Sequence, residues 1–504
     1  MYAMTSYQSY VLKQLNNGIT LTSEMIDKLI IDHATEKNRT YKSWQRYLAS
    51  KEGVPIKTRE LPDYAKINNK IANDFMGEVI DTKTGFFTGI PINYDLDKTK
   101  YEEQPKGMMK KIYDAFVRSK NTSFQAHTDL IERFITLNNL HDLDTEIVKL
   151  MAACGYAGRK LYIDTDGLER IVNLFPWETI FLTNPHNETE YALRYFPELN
   201  DDGELVTKVE FYDSFGITYY AENQDESSKS EIKYILDPDQ PLNKNPLDHP
   251  YEYCPIVIYE NNNERQGDCD KVVDLIDNYD RAFSDMSSEI EQFRLAYMYF
   301  VGQEPTEEIM QQVLQTGAFG FEEGSEAGFI TKNLDPSFHD SFFKRIEDNI
   351  QRFTKHVNFM DENFAGQATG IALQYKLQAL SNKTIVLESK FKTASRYMFK
   401  ILCSSWKKRK AGDIDFLNIF LTCKRNLPTD YLYEAQVTAA LKGNISERTR
   451  LGLLSFVDDV DYEMEEMKKD NEALNVEYTN PNANAEDEYS MNGLEDDEDD
   501  QEAV

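Results

Sequence analysis

Cysteine is scarce in this chain. The five present, Cys154, Cys254, Cys269, Cys403 and Cys423, are odd in number and widely spaced, with no CxxC pair. That argues against a disulfide framework and a zinc knuckle and leaves buried, reduced thiols as the expectation. Long apolar runs are missing as well. No stretch approaches the roughly 18 apolar residues of a membrane span, and no basic-then-apolar leader opens the chain, so neither a membrane anchor nor a secretory signal is expected. Positive charge is the third shortage. Lys and Arg total 55 against 87 Asp and Glu, a formal charge of -32. A generally basic coat for gripping phosphate is excluded, since that needs clustered cations. Nucleic acid that passes by without being held is not excluded. Catalytic signatures are absent too: there is no GxxxxGK[ST], no HExxH and no GxSxG, and the seven histidines make no metal-ligand spacing.

What is present is enough for sizeable cores. The 504 residues are 41% hydrophobic and 12% aromatic, and at about 150 residues per domain they suggest roughly three domains. The acid is concentrated at one end. From Asp458 to Val504 there are 19 acidic residues and two basic ones, a net of -17 that leaves -15 for the rest. From about Asn475 the apolar pattern ends, and the segment to 504 is expected to be a disordered acidic tail.

Residues 20–155 read as mostly helical: Ile67, Ile71, Phe75 and Val79 recur every four residues, a second helix runs near Phe124–Leu137, and a third from Asp144 stops at Gly155. Strands follow at Lys160–Ile163, Ile171–Phe175, Tyr191–Phe196, Val206–Tyr212, Ile217–Tyr220, Ile232–Leu236 and Pro255–Tyr259. Then comes a heptad-like stripe: Val272, Ile276, Tyr279, Phe283, Met286, Ile290 and Phe293 are spaced 4-3-4-3-4-3. Its flanks carry Asp274, Asp277, Asp280, Asp285 and Glu289. Such a stripe wants a partner helix, and residues 336–357 supply one with Phe342, Ile346, Ile350, Phe353 and Val357. A compact acidic insert lies between the two. A long helical pattern restarts at Ile371 and reaches about Lys410, a strand is expected within Ile414–Lys424, and two short helices follow at Tyr431–Leu441 and Ser446–Leu454.

Other clusters have bland readings that outweigh sharper ones. Asp95 with Asp97, and Asp458, Asp459 and Asp461, nominally suit Mg²⁺ beside a phosphate, but charge runs of this kind are usually solvated turns or helix ends. Lys407–Lys410 reads better as cations at a long helix's C-terminus than as a targeting signal. Lys106, Lys110, Lys111, Arg118 and Lys120 form a looser basic face, suited to phosphate, to an acidic neighbouring subunit or to solvent.

The order of these parts resembles the portal (head-to-tail connector) proteins of tailed double-stranded DNA bacteriophages, of the siphophage type of about 500 residues. Asn261-Asn-Asn-Glu264 followed by Val273–Asp280 is similar to the family's approach to its first stem helix. Phe364-Ala-Gly-Gln-Ala-Thr-Gly-Ile-Ala-Leu373 is similar to its tunnel-loop exit into a long helix. Gly443–Thr449, Phe456–Asp459 and Glu463–Glu466 resemble its C-terminal helical pattern, and Asn38-Arg-Thr40 through Gly89-Ile-Pro91 its wing. The specificity lies in order and spacing. The loop before Thr369 has fewer glycines than the family pattern and carries Phe359 and Phe364.

The resemblance implies a helix-rich α+β portal fold assembled as a ring, commonly of twelve subunits, around a central channel. It assigns 1–267 to an N-terminal arm and wing, 268–293 to the first stem helix, 294–335 to the clip and 336–357 to the second stem helix. Residues 358–370 would be the tunnel loop, 371–427 a long wing helix with a returning strand, 428–474 the crown and 475–504 the tail. It implies stem packing through Val272, Ile276, Tyr279, Phe283, Met286 and Ile290, and a DNA-facing loop carrying Asn358, Phe359, Asp361, Glu362, Asn363 and Gly366. Glu304, Glu307 and Glu308 would face the terminase. The implied partners are further copies of the chain, the terminase large subunit, capsid and scaffolding proteins, a neck protein and the passing DNA, with no cofactor, no metal, no membrane and no catalysis. The implied location is the capsid vertex of the virion, with assembly in the host cytoplasm. The alternative from a different class is a metal-dependent phosphotransfer enzyme acting on nucleic acid. The missing P-loop fits a passive conduit whose motor is elsewhere, and acid excess fits a wall that DNA slides past, because a basic lining would bind it through counterion release.

Overall fold

The computed structural model of the chain describes residues 4–62, 67–98, 110–200, 203–224, 232–241, 245–293, 298–302, 306–316, 324–329, 336–357, 370–426, 431–454, 456–457 and 460–477. They form two compact units, Met1–Asn426 and Leu427–Val504.

The first unit is mixed helix and sheet. Helix α1 (Ser6–Asn16) opens on a capping box between Thr5 and Gln8, and α2 (Ser23–Tyr47) on the Thr22 hydroxyl, so orphan N–H groups at both starts are satisfied by side chains. Helix α3 (Phe75–Thr88) is followed by strand β1 (Asn93–Leu96), then α4 (Lys110–Asn138) and α5 (Leu140–Cys154). Helix α5 ends at Gly155, whose φ of +92° suits glycine, and a Cβ there would lie 2.0 Å from the Arg265 carbonyl oxygen. Strands β2 (Tyr156–Ile163) and β3 (Glu169–Leu174) pair antiparallel. The run β4 (Thr179–Thr183), β5 (Thr189–Leu199), β6 (Leu205–Tyr212), β7 (Gly216–Glu222) and β8 (Tyr234–Leu236) follows in sequential order in a second sheet, with β9 (Leu247–Asp248) on β7. Strand β10 (Ile256–Glu260) returns to β2, giving the order β10-β2-β3.

Two cores organise this unit. The larger gathers α3, α5, β2, β10 and the long helix, and includes Phe87, Met151, Tyr259, Phe391, Phe399 and Trp406. The smaller packs Val11, Ile26 and Leu29 of α1 and α2 against Leu182, Leu193 and Val209 of the second sheet. In that sheet Tyr195 donates to or accepts from His33 at 2.9 Å, and burial pulls the imidazole down to about 4, so it is neutral near pH 7.

Most of the expected elements are present with shifted ends. The helical reading of Ile67 to Val79 is corrected. Helix begins only at Phe75, capped by Asp74, and residues 67–74 are neither helix nor strand. Periodicity saw four apolar residues four apart; what it missed is that this segment's N–H groups are bonded to another helix. Strand β4 was not anticipated because all five of its residues are buried, which erases the alternation that marks a half-buried strand.

Candidate channel and assembly elements

The helical hairpin is built as the spacing suggested. Helix α6 (Val273–Phe293) and helix α8 (Pro336–Thr354) flank an insert of strand β11 (Met298–Val301), helix α7 (Glu307–Thr316) and strand β12 (Glu326–Phe329), with the strands antiparallel and Val301 opposite Glu326. Along the stripe, Val272, Ile276 and Tyr279 are buried, Phe283 and Met286 half-buried, and Ile290 is 52% exposed. The Tyr279 and Phe283 rings lie 5.1 and 5.7 Å from that of Phe343 on α8, both edge-on, and the Tyr279 hydroxyl donates to Glu347 at 2.7 Å. Buried Ile346 and Ile350 complete the α8 side.

The polar side of α6 is strapped to the body. The N–H groups of Asn69, Ile71 and Asn73 donate to Ser288 Oγ, Ser284 Oγ and Asp280 Oδ1 at 3.1, 3.0 and 2.9 Å. Alternate residues of an extended chain advance about 6–7 Å, and four helical residues rise about 6 Å, so the two repeats match. Arg46 meets Asp277 through two bonds of 2.8 Å, and Arg59 reaches Asp285. Asp277, Asp280 and Asp285 on the flanks of the stripe are therefore held by partners in the same chain.

A buried charge node fixes the hairpin's root. Lys83 Nζ lies 2.9 Å from Asp268 Oδ2 and 2.8 Å from Asn261 Oδ1. Lys383, from helix α9 (Gly370–Lys408), reaches Asp268 Oδ1 at 3.0 Å and the Thr354 carbonyl, at the C-terminus of α8, at 2.9 Å. Burial opposes a charge on Asp268, yet the Lys83 and Lys383 ammoniums together hold its carboxyl at about 2. Beside the node His356 Nε2 is 3.0 Å from Glu78, whose carboxyl that contact lowers. No local pattern in the sequence pointed to Lys83, Lys383 or residues 69–73, because each acts across a long separation.

Glu307 and Glu308 are exposed in the first turn of α7, whose Ile309 N–H is capped by the Thr306 hydroxyl. Glu304 lies outside the described residues, and so do Asn358, Phe359, Asp361, Glu362, Asn363 and Gly366. The acidic tail lies outside them from residue 478, the final helix running on to Glu477. Lys407 and Lys408 occupy the last turn of α9, where Lys407 pairs with Asp413 at 3.1 Å; Arg409 pairs with Glu169. Among the described residues no three His, Cys, Asp or Glu side chains converge to hold a metal ion, and no helix is long and apolar enough to cross a membrane. The long helix is followed by strand β13 (Ile419–Thr422), which pairs with β1. The second unit carries α10 (Tyr431–Ala440), α11 (Glu447–Leu451), capped by Ser446, and α12 (Val460–Glu477).

The chain is similar to proteins of known role along most of its length. It is 22% identical over 437 residues to the portal protein of Clostridium phage phiCD119, covering 82% of this chain and 87% of that one. It is 23% identical over 468 residues to the portal protein of Bacillus phage SPP1, covering 88% and 86%. A chain in the neck of a native GTA particle computed with C12 symmetry aligns with a TM-score of 0.39 at 11% identity, covering 76% of this chain and 90% of that chain. Residues 27–477 match the family described as phage portal protein, SPP1 Gp6-like, and the chain belongs to that family.

Proposed function

We propose that this chain is the subunit of a ring at one vertex of a phage capsid, commonly of twelve copies, through which double-stranded DNA is packaged and later leaves. The observation that carries the reading is the family match over residues 27–477, which takes in the helix–insert–helix hairpin and the long helix after it. In this reading α6 and α8 are stem helices, the insert is the clip that docks the terminase large subunit, and residues 358–370 are the tunnel loop, with Asp361 and Glu362 toward DNA phosphates and Asn363 offering exchangeable hydrogen bonds. Residues 428–474 form the crown. Capsid, scaffolding and neck proteins are its other partners, and the host cytoplasm is where it assembles. The ring's role is structural: the energy for moving DNA comes from the terminase.

The net charge supports a conduit. Acids on the wall repel phosphates over a Debye length of about 8 Å and leave no bound counterions to exchange. No finding favours the metal-dependent phosphotransfer reading: Asp95 stands exposed on β1, Asp458 and Asp459 lie outside the described residues, and among the described residues no three His, Cys, Asp or Glu side chains converge to hold a metal ion. Electron micrographs of the purified full-length chain test the proposal. Rings with a central channel are expected; monomers at every concentration would overturn it.

A further inference from the structure

We propose that the outer edge of β1 is a docking site for one more strand, and that its occupant is an extended segment of a partner protein in which apolar residues alternate with lysine or arginine.

Strand β1 has a neighbour on one side. It pairs antiparallel with β13, and the two make a sheet of their own. The phase of that ladder follows from the Asp97 N–H, which donates to the Asn418 carbonyl at 2.8 Å, one pair beyond the strand ends. In an antiparallel pair the bonded residues alternate. Asp95 opposite Phe420 and Asn93 opposite Thr422 therefore turn their main-chain groups to β13, and Tyr94 and Leu96 turn theirs the other way. Among the described residues no group bonds to the N–H or C=O of Tyr94 or Leu96. Two-stranded sheets are marginal on their own, and a bare edge is a template for a further strand.

That edge opens on a cleft of about 350 Å³. All four residues of β1 line it, the two with buried side chains and the two with exposed ones, so the cleft follows the edge of the strand and not one face. Its other wall is α4 with the start of α5. Phe124, Ile131 and Ile135 on one side of α4, with Leu140, give it an apolar floor. Its rim is acidic. Asp95 and Glu132 are exposed there beside His141, and among the described residues no Lys or Arg lines the cleft.

This chemistry specifies the occupant. A row of outward N–H and C=O groups is met by an extended segment, because a helix has its own main-chain groups bonded along its axis. An extended segment sends its side chains alternately to two sides. Apolar residues at one set of positions fill the floor, and Lys or Arg at the other set meet Asp95 and Glu132. Four residues of strand span about 13 Å, so two of each kind cover β1.

The probe is the peptide acetyl-Lys-Val-Lys-Val-Lys-Val-amide, added to the full-length chain. It should bind at least roughly tenfold more tightly than the same peptide with Glu in place of Lys. Asp95→Lys with Glu132→Lys, both at exposed positions, should reverse that preference. Two further peptides separate main-chain docking from charge attraction. One is N-methylated at the three valines and the other at the three lysines. Successive N–H groups of a strand point to opposite edges, so one of the two should lose binding roughly tenfold or more and the other should keep it. Hydrogen exchange should show the Tyr94 and Leu96 amides slowed on adding the lysine peptide. No binding of that peptide to the unaltered chain, or equal binding of the two N-methylated forms, would overturn the proposal. Slow exchange of both amides before any peptide is added would overturn it too: in single chains it assigns the edge to this chain's own residues, and in rings alone to a second copy.

Discussion

Ile71 and Ser284 pair as two residues of neighbouring strands would. The Ile71 N–H donates to Ser284 Oγ at 3.0 Å, and the same hydroxyl donates back to the Ile71 carbonyl at 3.1 Å. A helix cannot offer its own backbone to an outside chain, because those groups are bonded along its axis. Ser284, fully buried, does so in its place, flanked one turn either side by Asp280 and Ser288.

Ser284→Ala removes both bonds of this pair and leaves the Ile71 amide facing an apolar methyl. We expect a loss of about 1–3 kcal/mol, the usual cost of stranding buried backbone groups. Hydrogen exchange should show the amides of Asn69, Ile71 and Asn73 exchanging at least roughly tenfold faster, with those of β2 and β10 unchanged. Equal protection in the variant would mean that the bonds of Asn69 to Ser288 and Asn73 to Asp280, with Arg59 on the Asn69 carbonyl, hold the strap without Ser284.

Two apolar positions of the stripe should separate fold from assembly. Phe283 is half-buried against Phe343, so Phe283→Asp places a charge inside the hairpin and should cost several kcal/mol of stability. Ile290 is half-exposed in the single chain, so Ile290→Asp should leave the monomer's melting temperature within a few degrees of wild type while lowering ring yield. Calorimetry and sizing of the same samples check both. A matching drop in melting temperature for the two would show that Ile290 is packed within its own chain.

The stripe was legible because it is local: seven residues at helical spacing needed no partner to be seen, and Tyr279 and Phe283 do meet α8. Gly155 marked a helix end for the same reason. The strap was not legible. Ile67, Ile71, Phe75 and Val79 carry a helical repeat, yet only the last two lie in a helix, because tertiary hydrogen bonds to Ser284 and Ser288 override local propensity. The node at Asp268 was equally hidden, since Lys83 and Lys383 approach it from far along the chain and neither sits in a motif.

That node should give the fold an acid-sensitive component. The Asp268 carboxyl is held at about 2 against an ordinary 3.8. A depressed carboxyl contributes stability that is fully present above about pH 4 and is lost as pH falls toward 2, here on the order of 2 kcal/mol. Lys383→Met removes one of the two ammoniums, so the loss should begin at higher pH. Asp268→Asn leaves Lys83 buried without its counter-charge and should cost about 3–5 kcal/mol at neutral pH. Denaturant titrations between pH 2 and 7 measure all three, and an acid limb in Lys383→Met that overlays wild type would remove Lys383 from the node's electrostatics.

The exposed acids of α7 allow a test of where a motor would dock on the proposed ring. Glu307 and Glu308 stand exposed in the first turn of a capped helix inside the insert, where they favour the helix dipole. Replacing both by Lys should cost the helix about 0.3–1 kcal/mol for each charge. Rings should still form, because the packing stripe is untouched. If the insert docks the terminase, the reversed charge should slow association, most strongly at low ionic strength, where screening is weakest. The measurement is the association rate of purified terminase with variant and wild-type rings across a salt series. A defect that narrows as salt rises places these two carboxylates at the docking surface, and identical rates at every salt concentration place the motor elsewhere on the ring.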